Sequence, residues 1–124
     1  MQNAESIVQR YIDTWNETDP VRRQTLISQT FTEDAAYTDP LASVGGHAAI
    51  DQLIAGAQAQ FGGLQFSLAN GGVDAHHDQV RFTWQLGAPS PDAEPLVVGF
   101  DVVILEEGRI RTVYGFLDKV PSLS

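Results

Sequence analysis

At 124 residues the chain has the length of one domain, expected to span 1–124 and to bury roughly two-thirds of the surface its unfolded form exposes. A hydrophobic share of 43% beside 19% charged residues is that of an ordinary globular protein and excludes a disordered one. A net charge of −9 with only seven Lys and Arg argues against nucleic acid and anionic membrane surfaces as partners, and the lack of Cys excludes disulfides and thiolate chemistry.

The first residues, Met1-Gln2-Asn3-Ala4-Glu5, carry neither a basic nor an apolar leader region, and no apolar run approaches the ~18 residues of a membrane span. The expectation is a cytoplasmic protein. Ile7, Val8, Tyr11, Ile12 and Trp15 fall on one helical face, so the spacing predicts a helix over about 4–17 with Asn3 as its N-cap. Asp19-Pro20 then opens a second helix that runs to about Phe31. Ala35, Tyr37 and Asp39 alternate with Ala36 and Thr38, which predicts a short strand ended by Pro40, with Asp39 at its tip.

Gly45-Gly46 breaks the chain before a third helix marked by Ile50, Leu53, Ile54, Ala57 and Phe61. From Leu64 the pattern is β. Strands are expected over Leu64–Ala69 and Val73–Ala75 around a turn at Asn70-Gly71-Gly72, and over Val80–Leu86. Gly87–Pro95 is a loop, Leu96–Leu105 a strand, and Arg109 to about Asp118 the last strand. Helices followed by a mainly antiparallel sheet make the fold class α+β.

Asp101 stands out, a carboxylate in a strand otherwise apolar or Gly from Leu96 to Leu105. An ionised carboxylate there costs several kcal/mol unless it is paired. It must therefore have a partner, be protonated, or face a pocket. A three-residue turn at Glu106-Glu107-Gly108 would pair Leu105 with Arg109 and Asp101 with Val113, making Arg111 a diagonal neighbour and a salt-bridge partner.

No phosphate-binding loop, nucleophile elbow or zinc-helix motif is present. His76 and His77 are adjacent, so on a strand they would point to opposite faces, and neither has a ligand at metal-binding spacing; no metal is expected. His47 more simply opens a helix.

The stretches Ile7-Val8-Gln9-Arg10-Tyr11, Phe31-x-x-Asp34-Ala35-x-x-x-Asp39-Pro40 and Gly46-His47-Ala48-Ala49-Ile50, with the Asp101 strand and Gly108-Arg109-Ile110, closely resemble bacterial ketosteroid isomerase. More loosely they resemble the SnoaL-like group of the nuclear transport factor 2-like superfamily. The resemblance implies a cone-shaped, curved, mostly antiparallel sheet wrapped around three N-terminal helices, with a deep apolar pocket. It also implies a homodimer joined through the outer sheet face, where Leu96, Val98, Phe100, Val102 and Ile104 lie opposite Asp101.

Residue by residue, Asp39 matches the general base, and Tyr11 and a neutral Asp101 match the two donors to the enolate oxygen. Trp15, Tyr37, Val103 and Val113 would line the pocket. No cofactor is implied; the ligand would be an apolar small molecule. Two other readings stay open: a non-catalytic ligand-binding protein with Asp101 locked by Arg111, and a polyketide-cyclase-type enzyme. Thr83 and Gly115 stand where a limonene epoxide hydrolase carries carboxylates, which disfavours that chemistry.

Overall fold

The computed structural model describes residues 3–90 and 92–121, with the backbone alone for Asn70. Helix α1 spans Ala4–Asn16 and is capped by Asn3, whose Oδ1 accepts from Ser6 N at 2.8 Å. Its apolar face buries Ile7, Val8, Tyr11, Ile12 and Trp15, as the spacing predicts. Helix α2 spans Pro20–Thr30, with Asp19 accepting from Arg22 N at 3.0 Å and Pro20 in the first turn, where a missing N–H costs nothing.

Strand β1 follows at Phe31–Thr38, then β2 at Ser43–Gly45, α3 at His47–Gln60, β3 at Gln65–His76, β4 at Gln79–Gly87, β5 at Val97–Glu106 and β6 at Arg109–Lys119. Three residues were too few for any periodicity to mark β2, which pairs antiparallel with β1. The expected turn at 70–72 is instead a break inside one strand: β3 continues past it, with its register against β4 shifting between Leu68 and Val73 and with Gly71 and Gly72 at φ +116° and +67°.

The six strands lie in the order β2-β1-β6-β5-β4-β3, and all neighbours are antiparallel except β1 with β6. Three helices against this mixed, unclosed sheet make the α+β cone of the nuclear transport factor 2-like fold. The core that joins them runs from Ile7, Tyr11 and Trp15 of α1 through Ile27 and Ile54 to Phe82, Val103 and Val113 of the sheet. Among the described residues no helix is long and apolar enough to cross a membrane.

The β5–β6 hairpin corrects the expected register. Its turn has two residues, Glu107 and Gly108 at φ +50° and +81°, so Glu106 pairs with Arg109 and Leu105 with Ile110. A bulge then absorbs one further residue, because Leu105 faces Ile110 while Ile104 faces Thr112. Two one-residue shifts cancel in their effect on facing, so Val113 still points inward, but Asp101 sits opposite Gly115 instead of Val113. Arg111, the residue in the bulge, is exposed, and among the described residues no ion pair joins it to Asp101. The proposed lock on Asp101 does not form.

Candidate active site

Asp101 lies on the inner face of β5 with Val97, Gly99 and Val103, all buried, while Val98, Phe100, Val102 and Ile104 face outward and are half-buried. Its carboxylate has two donors. The Tyr11 hydroxyl donates to Oδ2 at 2.8 Å, and the Trp84 indole N–H donates to Oδ1 at 3.1 Å. Burial pushes the Asp101 carboxyl up to about 6; the Trp84 and Tyr11 hydrogen bonds oppose that rise and the charge of Asp39 adds to it. The Tyr11 hydroxyl is raised well above its usual value by burial first and by Asp101 second.

Trp84 was not among the residues picked from the sequence. It pairs across the sheet with Gly99, and a Cβ on Gly99 would stand 2.1 Å from the indole ring. The ring lies over the glycine and reaches Asp101 only because no side chain is there. Gly99→Ala is therefore expected to expel Trp84, leave Asp101 Oδ1 without its donor and cost about 1–3 kcal/mol, read as a lower Tm.

Asp39 sits just past the tip of β1, half-buried. Its Oδ1 accepts from Leu41 N at 2.8 Å and Ala42 N at 2.9 Å, which folds the Asp-Pro turn back on itself, and its Oδ2 accepts from the Tyr37 hydroxyl at 2.6 Å. Burial raises the Tyr37 hydroxyl above the usual phenol range, with the charges of Asp101 and Asp39 adding to it, so it stays a donor. β1 runs beside β6, and Gly115 lies between the two aspartates: a Cβ there would stand 3.0 Å from Asp101 Oδ1 and 3.1 Å from Asp39 Cβ. The missing side chain at 115 is what lets the two acids approach.

An aromatic row closes this end of the cone. Ring centroids are 5.8 Å apart from Tyr37 to Trp15, 5.3 Å from Trp15 to Phe66 and 5.5 Å from Phe66 to Trp84. The last turn of α1 is held there by Asn16, which exchanges two 2.8 Å hydrogen bonds with the backbone of Phe66. Gln58 of α3 donates to the Trp15 carbonyl at 3.0 Å, and the buried Arg23 ties Gln58 to Asp51. Val103 and Val113 are cross-strand partners deeper on the same inner face, with Val113 beside Tyr37.

Tyr11 with Asp101, and Tyr37 with Asp39, are thus brought together at one end of the fold. Two clefts of about 240 and 550 Å3 lie elsewhere, beside the 87–95 loop and beside the start of α1, and neither is bordered by Asp39, Asp101 or Tyr11. His76 and His77 are exposed at the β3–β4 connection and turn their Nδ1 atoms toward each other at 3.1 Å, because the φ of +52° at His77 takes it out of the strand.

The model of the SnoaL-like domain matches residues 8–113, which include most of the first helix, the Asp-Pro turn and the Asp101 strand. The chain belongs to the SnoaL-like domain family. A SnoaL-like protein of Agrobacterium tumefaciens, described as a candidate isomerase, is 42% identical over 91% of this chain and 95% of its own, with a TM-score of 0.83. A candidate polyketide cyclase of Sinorhizobium meliloti is 20% identical over 89% of this chain and 93% of its own (TM-score 0.68). A Catenulispora acidiphila protein of ketosteroid isomerase-like fold, solved with trimethylamine, is 18% identical over 92% of this chain and 85% of its own (TM-score 0.71). These last two share the fold with this SnoaL-like protein. No curated protein matches its sequence.

Proposed function

We propose that this SnoaL-like protein is a cofactor-independent enzyme of ketosteroid-isomerase type, which removes and returns a proton next to a carbonyl of an apolar small molecule. The observation that carries the reading is the pair of aspartates flanking Gly115, one half-buried beside the Asp-Pro turn, the other buried on Tyr11 and Trp84. Groups of one type in two environments are suited to two roles.

Asp39 takes the proton from the carbon between the carbonyl and the double bond. The electron pair moves onto the carbonyl oxygen, and the Tyr11 hydroxyl and neutral Asp101, released from their mutual hydrogen bond, donate to the enolate. Asp39 then returns the proton to the far carbon, which leaves the double bond conjugated. Trp15, Tyr37, Val103 and Val113 form the apolar walls. The Tyr37 hydroxyl and two backbone N–H groups hold Asp39 in place, and the second lone pair of Oδ2 stays open to accept a proton.

That same triple restraint favours the second reading, a pocket that binds an apolar ligand without reacting. Incubation with a β,γ-unsaturated ketone separates the two: growth of the conjugated product's ultraviolet absorbance supports the isomerase, and binding without conversion supports the carrier. Ring closure of a polyketide-type substrate, seen by product analysis, would assign the same base to a cyclase.

A second copy covers the outer sheet face in this reading. Phe100 pairs with Phe116 and Val102 with Tyr114, and the two aromatic rings are about half exposed, at 55% and 50%. Sedimentation as a monomer would remove this part of the proposal. The Cys-free composition fits a reducing cytoplasm.

A further inference from the structure

Among the described residues, Trp15 Nε1 is a buried side-chain donor with no hydrogen-bond partner, on a residue only 8% exposed. Leaving such a group unsatisfied costs about 1–3 kcal/mol. Packing alone does not require it, because a Phe at the same place would bury an aromatic ring without an orphaned N–H. Trp15 follows Tyr11 by one helical turn, and their rings are 6.4 Å apart. No hydrogen bond joins the indole N–H to the Tyr11 hydroxyl.

We propose that Trp15 Nε1 is a third donor of this site, which hydrogen-bonds a carbonyl or phenol oxygen of the ligand that also faces Tyr11. It rests on the reading that an apolar carbonyl compound enters this end of the cone. It adds a specificity. Tyr37 and Phe66 both pack against Trp15, so the favoured ligand is a ring-bearing carbonyl compound whose oxygen can meet the indole donor. Three donors on one oxygen would hold an enolate better than two, and would reject an analogue that lacks the oxygen.

The sequence contains two Trp residues, so the indole region of a 15N–1H spectrum holds two resonances, and the one absent from Trp15→Phe is that of Trp15. The probe is 2-naphthol, a flat apolar phenol whose oxygen stands in for an enolate oxygen. On titration of the wild-type protein the Trp15 proton is expected to move downfield, and Trp15→Phe to bind the probe roughly tenfold more weakly. A Trp15 resonance that stays in place while that of Trp84 moves, or equal binding by Trp15→Phe, overturns the inference and leaves the proposed function standing. If neither resonance moves, the inference falls, and the ketone assay decides the proposed function by itself.

Discussion

Asp39→Asn is expected to lower turnover of a β,γ-unsaturated ketone by about 10²- to 10⁴-fold while KM changes little. An amide is almost the same size as the carboxylate and its Oδ1 can still accept from Leu41 N and Ala42 N, so the turn after β1 survives. Its Nδ2 can donate to the Tyr37 oxygen, which keeps the two side chains paired in the reverse direction. What it cannot do is take a proton from carbon. A loss confined to kcat, with an unchanged Tm, marks Asp39 as the base; full activity in the variant would remove it from the mechanism and favour the carrier.

The second large effect concerns stability. Asp101 carries a folded-state pKa of about 6 against a reference of 3.8. Below the reference value both folded and unfolded chains hold the proton, and the site contributes nothing. As pH rises between the two values the unfolded chain gives up its proton first, so the folded state loses stability, and above about 6 the whole penalty, about 3 kcal/mol, is present.

Asp101→Asn has no such titration. Its Oδ1 can accept from Trp84 and its Nδ2 can donate to the Tyr11 oxygen, so both partners keep a hydrogen bond. The variant should therefore gain on the wild type by about 2 kcal/mol between about pH 4 and about pH 8, measured by urea unfolding at each pH. A constant gap across that range would contradict the buried, uncompensated carboxyl. The sign for turnover is the same. The neutral form that donates to an enolate is depleted as pH rises through about 6, so turnover should fall there.

Much of this site can be read from the chain because burial imposes periodicity. Tyr11 and Trp15 share the apolar stripe of α1, and Asp101 alternates with outward Phe100 and Val102, so their inward facing follows from spacing alone. Asp39 before Pro40 marks a turn for local steric reasons. The partners of Asp101 were not accessible in the same way. Arg111 seemed a neighbour only under a three-residue turn, and the actual two-residue turn and the bulge each moved the register by one residue, changes that leave the apolar pattern almost untouched.

Trp84 could have been found from one signal, a glycine in an otherwise largely apolar strand, since Gly99 marks a place where something large lies close. Identifying that neighbour needs the β4–β5 register, which spans a loop of uncertain length in the sequence pattern. Gly115 is similar: its role appears only once β1 is known to run parallel to β6 and bring Asp39 against Asp101. The three residues of β2 and the continuous path of β3 through its double glycine depend on neighbouring strands more than on their own composition.

The most direct test is the titration of the Asp101 carboxyl carbon by 13C NMR, in the wild type and in Asp39→Asn. A buried acid on Tyr11 and Trp84, close to a second carboxylate, should titrate near 6 in the wild type and lower once the charge at position 39 is gone. An Asp101 that titrates in the ordinary range near 3.8, or does not respond to Asp39→Asn, would contradict the paired-acid site.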